Sequence, residues 1–191
     1  MLTAACASSS TVSGETGSDV WLVEDLSQQK LPARRLATAL AQDGWRVTLA
    51  SADGEGVVGL LAGVKEHSPR LLVFSVLFAG LLREYLALAT ALRDAGCGAH
   101  LSMAGALPGL IPAELLAACP ALDSALCGEA EGAVSALARW ALEPERWPEV
   151  PGLAFRRGGA VQCNPSPSGK GRWYVPAWPE GPATAAEGYR F

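Results

Sequence analysis

The chain has 191 residues, half of them hydrophobic and 18% charged, with a formal net charge of −4. It is long and apolar enough to bury a core, which excludes a disordered polymer, and the negative balance leaves no phosphate footprint for nucleic acid beyond the pair Arg156-Arg157. The longest apolar run, residues 71–82, is interrupted by Ser75 and Gly80 and is too short to span a bilayer.

Residues 1–18 are rich in Ser, Thr, Ala and Gly without periodicity and read as a disordered leader. A first strand is predicted over 20–23, ending in Glu24-Asp25. A helix follows from Pro32, a good first-turn residue, to Gly44, a good terminator. Residues 45–50 make a second strand and 56–66 a short helix, after which Ser68-Pro69 turns the chain.

The segment 70–105, RLLVFSVLFAGLLREYLALATALRDAGCGAHLSMAG, organises the rest. It reads as a buried parallel strand at 71–74 with a polar break at Ser75, an amphipathic helix at about 80–94, and a fourth strand at 100–103 that stops at Ala104-Gly105. The loop ALPGLI then leads through Pro112 into the helix AELLAACP. A fifth strand over 121–127 ends at Gly128, and a helix over 129–142 carries acidic residues in its first turn.

Strands alternating with helices predict an α/β fold, a flavodoxin-like doubly wound five-stranded parallel sheet. Beyond it, 152–155 and 160–163 flank Arg156-Arg157-Gly158-Gly159 as a C-terminal β-hairpin, and an irregular Pro- and Gly-rich tail follows. The expected organisation is a leader at 1–18, an α/β domain at 19–143, a hairpin extension at 144–164 and a tail at 165–191. The tail aromatics, from Trp173 to Phe191, are the expected contact with a partner subunit.

The five cysteines show no CxxC or CxxxCxxC spacing, which argues against zinc, an iron-sulfur cluster within this chain or a disulfide framework. With no basic n-region and no apolar stretch of signal-peptide type, a reduced cytoplasmic chain is expected. No GxGxxG follows the first strand, and no Ser-His-Asp or Cys-His arrangement is visible, so no catalytic residue is assigned.

Ligands of open α/β sheets bind at the carboxyl ends of the strands, which places the expected functional rim at Ser75 and Ala104-Gly105. The pattern Ser75-Val76-Leu77, 26 further residues, then Ala104-Gly105 resembles the Ser-x-Leu and Gly-Gly elements of cobalamin-binding domains. Gly128-Glu129-Ala130-Glu131, preceded by Asp123, resembles the Gly-Glu-x-Glu signature in the N-terminal domain of B12-dependent radical S-adenosylmethionine enzymes. AGALPGLIPAELL and the hairpin from Val150 through Pro151-Gly152-Leu153 to Arg156 are similar to the same family, so four matches fall in order within residues 20–165.

The resemblance implies that cobalamin lies along the rim. Asp25, Leu26 and Ser27 would face the lower side of the corrin, and Ser75, Val76, Leu77 and Phe78 would support its ring and tail. Ala104, Gly105, Ala106 and Pro108 would line a slot for the nucleotide, with Gly128, Glu129 and Glu131 closing its far wall. Glu129 would accept a hydrogen bond from the ribose or cap the following helix.

Two departures shape the expectation. Where corrinoid proteins with a histidine ligand carry Asp-x-His-x-x-Gly, this chain reads Asp25-Leu26-Ser27-Gln28-Gln29-Lys30, with Ser27 in the ligand position. Cobalamin is therefore expected base-off without a histidine ligand, and His67 and His100 are read as structural or exposed. The CxxxCxxC of the radical enzymes is also missing, so a separate radical SAM catalytic subunit or domain is the expected partner, for methyl transfer or related radical chemistry. No metal is expected beyond the cobalt of the corrin.

Two other readings stand beside this one. The first is a cofactor-free degenerate domain acting as a docking or accessory subunit. The second is a degenerate response-regulator receiver, suggested by VWLVED but lacking the acceptor Asp and the Lys, where Ser75 and Gly128-Glu129 stand instead.

Overall fold

The computed structural model describes residues 11–12, 16–24, 31–51, 54–76 and 79–166. Its elements in chain order are β1 (Thr11–Val12), β2 (Thr16–Glu24), α1 (Leu31–Gln42), β3 (Trp45–Ser51), α2 (Gly54–His67) and β4 (Leu71–Ser75). They continue with α3 (Leu82–Asp94), β5 (His100–Ala104), α4 (Ala106–Leu110), α5 (Pro112–Ala118), β6 (Ser124–Leu126), α6 (Val134–Trp140), β7 (Leu153–Arg157) and β8 (Ala160–Cys163).

One sheet holds all eight strands in the order β1-β3-β2-β4-β5-β6-β7-β8. The five central strands are parallel and, counted along the chain, run 2-1-3-4-5, the flavodoxin-like order. Antiparallel strands close both edges: β1 pairs with β3, and the β7–β8 hairpin continues the sheet from β6. The central β4 has Leu71, Leu72, Val73 and Phe74 all fully buried, as a strand covered on both faces requires.

Side-chain alternation divides the core in two. Val20, Leu22, Val47, Leu71, Val73, Ala104, Leu126 and Phe155 pack beneath α1 and α6. Trp21, Val23, Leu72, Phe74, Leu101, Met103 and Ala125 pack beneath α2, α3 and α5.

Polar clamps hold the amino-terminal end of the sheet. Arg93 on α3 donates to the carbonyls of Ala121 (3.0 Å), Cys97 and Ala99 (both 2.7 Å) and pairs with Asp123, whose Oδ2 also accepts from the Leu101 amide at 2.7 Å. Arg156 on β7 donates to the carbonyls of Leu122 (2.6 Å), Leu116 and Cys119 (2.8 Å), satisfying acceptors left open at the end of α5.

The elements differ from the sequence reading in four places. Thr11–Val12 and Thr16–Glu24 are strands, so the segment 1–18 is not without regular structure throughout. ALPGLI contains the short helix α4, which tolerates Pro108 because the first turn needs no amide there. The fifth strand shrinks to Ser124–Leu126 because Asp123 turns aside to Arg93. The helix expected over 129–142 is split into a 3-10 turn at Ala130–Gly132 and α6, consistent with the poor helix propensity of Gly132.

Candidate functional site

Strand parity decides which side chains reach the carboxyl rim on each face. On the α1/α6 face, register aligns Ser51 of β3 with Glu24 of β2, the next step past Val23 and Phe74 aligns Glu24 with Ser75 of β4, and Ser75 pairs with Ala104 of β5. Ala104 pairs in turn with Leu126 of β6. The rim on this face is therefore a row of short or polar side chains ending in one apolar residue, with Glu24 only 4% exposed. On the other face Val23, Phe74, Val76 and Met103 are all fully buried.

The expected slot residues fall into two groups. Ser75 and Ala104 sit side by side on the α1/α6 face, and Ala104 shares its core with Ala130 and Ala133. Val76 instead turns into the other core, its amide donating to the Ala104 carbonyl at 2.8 Å. Gly105 stands at φ +130°, and a Cβ there would lie 2.0 Å from the Val76 carbonyl oxygen. Its missing side chain is thus demanded by backbone contact between two strand ends.

Beyond Gly105, Ala106 is exposed and Pro108 buried, and α4 reaches across to β6: a Cβ on Gly109 would lie 3.3 Å from the Gly128 amide nitrogen. Gly128, at φ +77°, and Glu129 are exposed at the top of β6, and Glu129 makes no side-chain capping bond to the turn it precedes. Glu131 is held back by Arg35 of α1, Oε1 to Nε 2.8 Å, so the far wall is tied to α1 by an ion pair.

Asp123, the first residue of the Asp-x-x-x-x-Gly-Glu match, lies at the opposite end of the sheet. His100 is there too, buried, its Nδ1 3.0 Å from the Ala141 carbonyl and its Nε2 2.7 Å from Ser124 Oγ. Burial pushes its pKa down to about 4, against the opposing pull of Asp123. Asp25, Leu26, Ser27, Leu77 and Phe78 lie outside the described residues, as does the tail from Trp173 to Phe191.

The sequence reading did not single out Glu24 or Arg35 for this site. The signal for Glu24 was the period-two pattern Val20-Leu22-Glu24, which carries a carboxylate onto the same face as Ser75. Arg35 had no local signal, because its partner is some ninety-six residues away in the sequence (131 − 35).

The B12 binding domain family matches residues 26–138 of this sequence, more than half of the chain. The chain belongs to that family. Among solved structures, this B12-binding chain resembles the radical S-adenosylmethionine methyltransferase TsrM from Kitasatospora setae, solved with cobalamin and a [4Fe-4S] cluster, at 20% identity and TM-score 0.66, covering 86% of this chain and 32% of that one. A second TsrM structure, with tryptophan and a SAM analogue, gives 21% identity, TM-score 0.66, and coverage of 77% and 30%. The cobalamin-dependent radical enzyme OxsB with aqua-cobalamin and S-adenosylmethionine gives 19% identity, TM-score 0.66, and coverage of 79% and 22%. At such identities the likeness establishes the fold, and the chain spans a third or less of these neighbours. No curated protein matches it. Among the described residues no helix is long and apolar enough to cross a membrane.

Proposed function

We propose that this B12-binding chain holds cobalamin base-off and without a histidine ligand along the carboxyl rim, and presents it to a radical SAM domain or subunit for methyl transfer or related radical chemistry. The observation that carries the reading is the position of both histidines in the sequence. His100 is bonded at the amino-terminal end of β5, and His67 closes α2 just before β4 begins, so each is at the far end of the strands from the rim.

The chemistry of the rim, short and polar side chains in a row from Ser51 to Ala104, supports this reading. Ser51, Glu24 and Ser75 would offer hydroxyl and carboxylate acceptors to corrin amides and ribose hydroxyls, and the small side chains of Ala104, Ala130 and Ala133 beside them would meet the aromatic base. Glu129, exposed and without a capping bond, is open to a hydroxyl donor. Cobalamin, when bound, supplies a cobalt centre able to carry an alkyl group. The chain's own part would be to hold the cofactor through the rim residues Ser75 and Ala104 and through Glu129. The neighbours support the partner: each is a radical S-adenosylmethionine enzyme of which this chain matches under a third.

The test is incubation of the reduced chain with hydroxocobalamin, gel filtration and, after one-electron reduction, an EPR spectrum. Corrin absorbance travelling with protein, and a cobalt signal without nitrogen superhyperfine splitting, are expected. Nitrogen splitting, which requires an axial nitrogen from the cofactor's own base or from a histidine, would refute the proposed base-off, histidine-free mode. A colourless protein that still captures a radical SAM enzyme would replace the carrier role by docking alone.

A further inference from the structure

α1 follows the parallel strand β2, so its first turns stand at the carboxyl end of the sheet, where it packs against the turn Ala130–Gly132 that follows β6. Leu36 and Ala37 of α1 share one core with Ala104, Ala130 and Ala133. Arg35 and Glu131 join the same two elements by an ion pair, and 35% of the Arg35 side chain is exposed against 13% of Glu131. Glu131 Oε1 takes the guanidinium at Nε, 2.8 Å away, and among the described residues that guanidinium has no second partner. The edge carrying its two terminal amino groups is left for an acceptor with two oxygens. Glu24, Glu129 and Glu131 gather carboxylates at this end of the sheet, so an anion arriving there needs a cation to offset them.

We propose that Arg35 binds the phosphodiester of the cobalamin nucleotide arm, with Glu131 as the positioning residue that fixes the plane of its guanidinium. The inference rests on the cobalamin reading above and adds to it the group that meets the cofactor's one anionic linkage. That linkage joins the aminopropanol linker to the ribose, between the corrin and the aromatic base. Once the base has left cobalt, the arm extends away from the corrin and its charge has to be paired wherever it leaves water. A guanidinium suits this better than an ammonium, because its fork matches two phosphate oxygens and its plane can be set by a neighbour. With Nε on Glu131, the fork that remains is the terminal one. No covalent bond forms or breaks in this step.

The experiment uses the reduced full chain and three corrinoids: hydroxocobalamin, cobinamide phosphate, which keeps a phosphate but has no base, and cobinamide, which has neither. Dissociation constants are read by equilibrium dialysis from the corrin absorbance. The wild type should bind cobinamide phosphate more tightly than cobinamide by roughly 10- to 100-fold, the range for hydrogen bonds between charged groups. Arg35→Gln should erase that preference and weaken hydroxocobalamin by the same factor, with cobinamide affinity unchanged as the control for folding. Arg35→Lys should recover part of the loss. Glu131→Ala should weaken both phosphate-bearing ligands, and Glu131→Gln, which keeps an acceptor for Nε, should restore them. Equal wild-type affinity for cobinamide phosphate and cobinamide, an undiminished preference in Arg35→Gln, or an equal loss for all three ligands would overturn the role of Arg35 while cobalamin carriage stands. A wild type that binds no corrinoid would overturn both.

Discussion

His100 offers the sharpest quantitative test of the packing. Its Nδ1 faces a carbonyl, which can only accept, so Nδ1 carries the proton and Nε2 accepts from the Ser124 hydroxyl. Ser102 Oγ, 3.0 Å from Ser124 Oγ, completes a buried chain under the ring of Trp147, which meets the imidazole edge-on at 4.8 Å. A second proton would have to sit at Nε2, reverse the Ser124 bond so that the hydroxyl accepts, and bury a charge. Between its ordinary 6.5 and the folded value of about 4, the unfolded chain binds a proton that the folded chain does not. Stability therefore rises with pH across that window. The contribution is fully present above the ordinary value and is lost as pH falls towards the folded one. The gap of 2.5 units (6.5 − 4) is worth about 3 kcal/mol in full, and about 1.4 kcal/mol is already lost at about pH 5.5. Urea unfolding of the wild type and His100→Gln at neutral pH and at about pH 5.5 isolates the effect, because other titrations cancel in the difference. The variant is less stable at neutral pH, and its deficit should shrink by about 1.4 kcal/mol in acid. A deficit independent of pH would refute the buried neutral imidazole.

Gly105→Ala drives a methyl group to 2.0 Å from the Val76 carbonyl at a left-handed φ, so a loss of at least ~2 kcal/mol and aggregation on expression are expected, read by thermal melting. Arg93→Met strips three carbonyls and the Asp123 carboxylate of their donor and should lower the unfolding free energy by roughly 3 kcal/mol, whereas exchange of the exposed Arg157 for Met should be silent in the same assay. Arg156→Met frees the end of α5 from the hairpin; hydrogen exchange should rise in β7, β8 and α5 while β2 and β4 stay protected. Ala104→Leu, an overpacking change costing about 1–3 kcal/mol, should leave a folded chain that no longer retains cobalamin, and unchanged corrin absorbance after gel filtration would misplace the slot.

Elements with a clean signal were legible in the sequence: the continuous apolar run of β4, the Pro32-to-Gly44 frame of α1 and the Gly-rich turn of the hairpin. The boundaries that slipped were settled by distant partners. Asp123 leaves its strand for Arg93, and Gly132 interrupts a helix whose amphipathic pattern continues through it. For the site, sequence spacing placed Ser75, Ala104 and Gly128 at strand ends but could not say which face each side chain meets. That depends on register, which turns Val76 into the core while leaving Ser75 at the rim. A pairing such as Arg35 with Glu131 has no local pattern at all, since only the folded chain brings the two together.

The parity of β2 has a consequence for how this chain can vary. Val20, Leu22 and Glu24 must alternate in step with Leu71, Val73 and Ser75, so inserting or deleting one residue in β2 would swing the carboxylate into the oily layer holding Phe74 and Tyr85. Descendants of this sequence can lengthen their turns freely, but that strand can change length only by whole pleats of two.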